Sequence, residues 1–70
     1  MQVEKSRLEN LRDDAENTGL YFKELSRKFW KEKRNPLDET TLAISRAAHR
    51  LGGKIDALLD KLEDEGLLKG

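Results

Sequence analysis

Ile44-Ser45-Arg46-Ala47-Ala48-His49-Arg50-Leu51-Gly52-Gly53-Lys54-Ile55-Asp56-Ala57-Leu58-Leu59-Asp60-Lys61-Leu62 is the stretch that decides the fold. Its apolar residues Ile44, Ala48, Leu51, Ile55, Leu58 and Leu62 recur at spacings of 4, 3, 4, 3 and 4. That periodicity draws one apolar stripe along a helix that packs against other helices. Two adjacent glycines, Gly52 and Gly53, interrupt its centre, although glycine is the poorest interior helix residue after proline.

Upstream, residues 3–34 hold no proline and are rich in Glu, Lys, Arg and Leu, all good helix formers. Leu8, Leu11, Ala15, Thr18, Phe22, Leu25 and Phe29 follow at 3, 4, 3, 4, 3 and 4, so the register runs through Asn17-Thr18-Gly19 without a slip. The unbroken register favours one long helix over about residues 3–34. The alternative is a break at Gly19, acting as a left-handed cap, which would give a three-helix bundle.

Arg34-Asn35-Pro36-Leu37-Asp38-Glu39 is the clearest punctuation in the chain. Proline disfavours helix in the residue before it and suits the first turn of a new one. The spacing therefore predicts a turn over 34–38 and a second helix over about 38–65. Asn35 or Asp38 is its expected cap, and Gly66 its expected terminator. A connection this short makes the helices antiparallel neighbours, each roughly 45 Å long at ~1.5 Å per residue. Folding about residues 35 and 36 would set Gly19 opposite Gly52 and Thr18 opposite Gly53. Gly19, Gly52 and Gly53 are thus expected to mark a level of close packing, or a hinge.

Seventy residues make one domain, 1–70, and the absence of cysteine excludes disulfides and thiolate metal sites. With 36% hydrophobic and 40% charged residues, a chain of this length buries a limited core. Leu20, Tyr21, Trp30, Leu42, Ala47 and Leu59 lie outside the best heptad positions and widen the apolar face. The fold class expected is therefore all-α: an antiparallel helical hairpin that dimerises into a four-helix bundle. Its interface residues are Leu8, Leu11, Ala15, Phe22, Leu25, Phe29, Ile44, Ala48, Leu51, Ile55, Leu58 and Leu62. No apolar run approaches the ~20 residues of a membrane span, and Met1-Gln2-Val3-Glu4-Lys5 is no signal peptide, so a cytoplasmic location with no membrane partner is expected.

The formal net charge of zero conceals an asymmetry. Residues 20–53 hold eight Lys or Arg and four Asp or Glu, and the remaining residues hold six and ten. The hairpin should carry a basic turn end and an acidic terminal end. Lys23, Arg27, Lys28, Lys31, Lys33 and Arg34, beside Tyr21 and Trp30, form the candidate nucleic-acid contact. The competing reading is a solvated helix face with pairs such as Glu24–Lys28.

Nothing in the chain reads as a catalytic or cofactor site. His49 is the single histidine and lies beside the stripe, so no metal-ligand spacing exists. Ser45 and His49 share a helix face, as any pair four residues apart does, which is a weak basis for covalent catalysis. Gly52-Gly53 follows no strand and is no phosphate loop. Asp56, Asp60, Glu63, Asp64 and Glu65 lack the order of a calcium loop. No metal and no cofactor is expected.

Ser45-Arg46-Ala47-Ala48-His49-Arg50-Leu51-Gly52, followed by Leu62, resembles pieces of a bacterial helix-turn-helix, but the interval from Leu51 to Leu62 is too short for a recognition helix. The two-helix plan is similar to the Spo0E-like aspartyl-phosphate phosphatases, which carry Ser-Gln-Glu-Leu-Asp on the second helix and act on phosphorylated response regulators. Ser45-Arg46-Ala47-Ala48-His49 keeps only the serine of that signature, and Gly52-Gly53-Lys54-Ile55-Asp56 only its closing apolar-Asp pair. No functional residue carries over. The expected function is a non-enzymatic protein–protein interaction module or regulator that self-associates and engages a protein partner through helix faces.

Overall fold

A computed structural model describes residues 1–70. Two helices, α1 (Lys5–Lys31) and α2 (Leu37–Asp64), lie antiparallel as a hairpin. Two short strands, β1 (Val3–Glu4) and β2 (Leu68–Lys69), close the end opposite the turn. The all-α hairpin matches the sequence reading. Helix α1 runs through Gly19 unbroken, so the three-helix alternative does not hold.

Both helices end in the same backbone motif. At the end of α2, the Gly66 N–H donates to the Glu63 carbonyl at 3.0 Å, and Leu67 N–H to the Leu62 carbonyl at 2.8 Å. Gly66 sits at φ +70°, the left-handed conformation that this paired-bond cap requires. At the end of α1, Lys33 N–H donates to Trp30 at 3.1 Å and Arg34 N–H to Phe29 at 2.9 Å. Here the left-handed residue is Lys33, at φ 56°. The first helix therefore stops at Lys31, short of the expected residue 34, because Lys33 takes the role usually filled by glycine.

The connection is tied down by side chains. The Ser26 hydroxyl donates to the Asp38 carbonyl at 2.9 Å, joining α1 to the first turn of α2. Thr41 Oγ1 donates back to Leu37 at 2.8 Å and Asp38 at 3.1 Å. The Asn35–Pro36 peptide is cis. Neither Asn35 nor Asp38 caps α2 through its side chain, contrary to expectation. Asn35 instead lies against the Asp38 carboxylate.

After α2 the Gly66 turn reverses the chain, so β2 runs parallel to β1 with Val3 beside Leu68 and Glu4 beside Lys69. Val3 N–H donates to the Leu67 carbonyl at 2.8 Å. The sequence reading contains neither strand.

The seam between the helices is built from small and polar residues. Ala15, Gly19 and Ser26 of α1 and Thr41, Ser45, Gly52 and Leu59 of α2 are the seven buried residues of the chain. Ser45, 2% exposed, donates from its hydroxyl to the Gly19 carbonyl at 2.7 Å. No large side chain is fully buried. Leu59, placed outside the heptad positions by the sequence reading, belongs to the seam.

The cross-helix register differs from the expected one. Gly19 meets Ser45 and His49, and Gly52 meets Ala15 and Glu16. Gly19 and Gly52 are thus about one helical turn apart instead of face to face, because α1 ends three residues early. Each still gives close approach: a Cβ on Gly19 would lie 3.0 Å from His49 Nε2, and one on Gly52 3.2 Å from Glu16 Cγ. Gly53 faces open space, with nothing within 4 Å, and does not meet Thr18. It plays no part in close packing.

Candidate interaction surface

The two apolar stripes each divide into an inner and an outer row. Leu8, Ala15, Phe22 and Phe29 turn toward α2, and Ala48, Ile55 and Leu62 toward α1, all buried or half-buried. The alternate members turn away from the seam. Leu11, Ile44, Leu51 and Leu58 are 40–54% exposed, and Thr18 is exposed beside them. Leu25, half-buried, continues their row.

These outward residues lie on one side of the hairpin. Five of them immediately precede a seam residue (Thr18 before Gly19, Leu25 before Ser26, Ile44 before Ser45, Leu51 before Gly52, Leu58 before Leu59), and Leu11 precedes the half-buried Arg12, one heptad before Gly19. One residue back is a rotation of ~100° about a right-handed helix. In two antiparallel helices that rotation carries both sets to the same side. Leu37, Tyr21 and Ala47 border this apolar side, and Tyr21 stacks edge-on against Phe22 with ring centroids 5.4 Å apart.

The opposite side, which carries the residues that follow seam positions, is mostly polar, with Asp13, Glu16, Lys23, Arg27, Arg46, His49, Asp56 and Asp60, but it also holds Leu20, 54% exposed, and the half-buried Leu42. His49 covers Gly19 there and Glu16 covers Gly52. Arg12 Nη1 donates to Asp56 Oδ1 at 2.9 Å, and Arg12 Nε to Asp13 Oδ1 at 3.2 Å. The hydrogen bond to Asp56, then that to Asp13, raises the Arg12 pKa above its ordinary value. The guanidinium therefore stays charged throughout the working pH range.

The six residues of the candidate nucleic-acid contact are all exposed, but they do not form one face. Lys23 and Arg27 lie on the polar side with Trp30, Lys28 and Lys31 turn outward along α1, and Lys33 and Arg34 occupy the turn. Arg34 Nε donates to Glu32 at 2.8 Å. Beside Trp30, itself 70% exposed, an open groove of about 280 Å³ takes Lys23 and Arg27 on one wall and Asp38 and Glu39 on the other. The two acids offset the two bases, so the groove lacks the cationic character that a phosphate backbone would need.

No group of three or more His, Asp or Glu side chains is placed to hold a metal ion. Ser45 is buried with its hydroxyl committed to the Gly19 carbonyl, and His49 lies over Gly19. The pair does not form a nucleophile–base arrangement. No helix is long and apolar enough to cross a membrane. Ser26, Thr41 and Ser45 were the seam residues that sequence reasoning missed, because hydropathy counts them as interruptions, although they continue the line of small side chains that Ala15, Gly19 and Gly52 had already marked. Comparison with protein-family models, curated proteins and solved structures finds no match to this chain.

Proposed function

We propose that this chain is a non-enzymatic protein–protein interaction module that works as a homodimer, the apolar sides of two hairpins closing into a four-helix bundle. The observation that carries this reading is the outward row Leu11, Ile44, Leu51 and Leu58 on a hairpin with only seven buried residues. Fully burying a leucine or isoleucine side chain is worth ~1.5–3 kcal/mol, and roughly half of that remains ungained at each of these positions. The seam offers little compensation, since glycine, serine and threonine remove small areas from water. A chain of this size commonly finds its missing core by association. The polar side, with its His49 and Glu16 covers and the Trp30 groove, stays free for a further protein partner.

Sedimentation equilibrium over micromolar concentrations tests the reading. The expected mass is twice the 8.1 kDa of the chain. Leu51→Asp, which puts a charge in the middle of the apolar side, should shift the distribution to monomer. A wild-type chain that stays monomeric and fully helical over the whole range overturns the proposal. Titration with mixed DNA and RNA addresses the competing reading: an interaction module gives no binding at moderate salt, whereas binding through the basic turn would fall steeply as salt rises.

A further inference from the structure

We infer that the second copy docks with its ends reversed, so that the turn of one hairpin lies over the termini of the other. This rests on the homodimer reading above and specifies which surfaces meet. The outward row is symmetric about its own middle. Helix α1 spans residues 5–31, so Thr18 is its midpoint, and Leu11 and Leu25 stand seven residues to either side. Helix α2 spans 37–64, so Leu51 is at its midpoint, and Ile44 and Leu58 stand seven residues to either side.

Seven residues are two turns of a packed helix, so the row forms three evenly spaced layers. In the antiparallel hairpin these are Leu11 with Leu58, Thr18 with Leu51, and Leu25 with Ile44. A two-fold axis through the middle layer, perpendicular to both helices, exchanges the outer two layers. Leu51 then meets Leu51 of the second copy, Ile44 meets Leu58, and Leu11 meets Leu25, with the smaller Thr18 beside each Leu51. Every exposed aliphatic of the row gains an aliphatic partner.

The same layers would also stack if both turns lay at one end, with α1 over the partner's α2, so packing permits two orientations. Charge selects between them. The turn half of the chain holds eight basic and four acidic residues, and the terminal half six and ten. Reversed ends pair halves of opposite net charge, and matched ends pair like with like. Because Lys23, Arg27, Arg46, Asp13, Glu16, Asp56 and Asp60 lie on the far side of each hairpin, this bias acts at long range and is strongest at low salt. The three layers span 14 residues of each helix, about 21 Å of the 50 Å length of the hairpin, so they form the centre of the contact and leave the charged ends as its rim.

The chain has no cysteine, so single thiols can report the contacts without removal of native ones. Under mild oxidation of the full chain, Leu51→Cys should form a disulfide-linked dimer by itself. Ile44→Cys and Leu58→Cys should each remain uncrosslinked alone and crosslink when the two proteins are mixed. In parallel, the dimer dissociation constant of the wild-type chain should rise severalfold as salt goes from low to high. The inference is overturned if Leu51→Cys links only to Thr18→Cys in a mixture, the signature of matched ends, or if salt tightens the dimer. A wild-type dimer in which none of these thiols crosslinks also overturns it. A wild-type monomer in sedimentation instead removes the homodimer reading itself, so the two failures are separable.

Discussion

The hydroxyl of Ser45 donates to the main-chain carbonyl of Gly19 across the seam at 2.7 Å, and it is the most deeply buried polar side chain of the molecule. A bond between one helix's side chain and the other's backbone needs the helices close together, which the missing side chain of Gly19 permits. Ser45→Ala removes the donor but leaves the Gly19 carbonyl its helical partner, so a loss of ~0.5–1.5 kcal/mol is expected. Ser45→Leu, which must force the helices apart, should cost more, about 1–3 kcal/mol. Urea denaturation of the two variants checks the order.

The three interior glycines should respond differently to alanine. Gly53→Ala meets open space and should stabilise by about 1 kcal/mol through helix propensity alone. Gly52→Ala displaces the flexible Glu16 side chain and should gain less. Gly52→Leu, blocked by the Arg12 carbonyl and Ala15, should destabilise. Thermal melts of the three variants suffice.

At Gly19 the obstacle is one side chain, the ring of His49 at 3.0 Å from a new Cβ. Gly19→Ala should therefore be more favourable in a His49→Ala background than in the wild type. A double-mutant cycle measures the difference directly. Equal effects in both backgrounds would mean that His49 does not hold this position.

The two helix ends make opposite predictions. Lys33 adopts the left-handed conformation at a cost of roughly 1 kcal/mol, so Lys33→Gly should stabilise by about that amount. Gly66→Ala, at φ +70°, should destabilise by a similar amount although its Cβ would touch nothing. Chemical denaturation resolves both.

The ion pair of Arg12 with Asp56 should be insensitive to alkaline pH below the guanidinium range. A group whose folded pKa is raised contributes stability that is complete below its unfolded pKa and lost only as pH rises through the folded value. That window lies above the ordinary arginine pKa. Asp56→Asn should therefore lower the melting temperature slightly and by the same amount at pH 7 and pH 9, with a smaller effect at high salt.

The hairpin was legible because Pro36 and the two unbroken registers each exclude most alternatives. Its rotation was not legible. A 3–4 spacing identifies a stripe, but which edge of that stripe meets the partner depends on whether bulk or closeness wins, and Gly19, Ser45 and Gly52 let closeness win. The residues offered for an interface were thereby split, with Ala15, Phe22, Ala48 and Ile55 in the seam and Leu11, Ile44, Leu51 and Leu58 outside it. The register slipped by about one turn for a local reason, since nothing in a lysine signals a left-handed cap at Lys33. The strand pair was invisible because two residues on each side carry no periodicity.

That strand pair also constrains the order in which the molecule can assemble. Val3 and Leu68 are joined from opposite extremes of the chain, so closing them first would confine nearly every residue in one loop. Docking that starts at the Ser26–Asp38 bond beside the turn and proceeds along Ser45–Gly19 shortens the remaining search at each step. The terminal clasp is then the last contact made and the first released. Weakening it, as with Val3→Ala, should accelerate unfolding in stopped-flow measurements while the folding rate stays nearly unchanged.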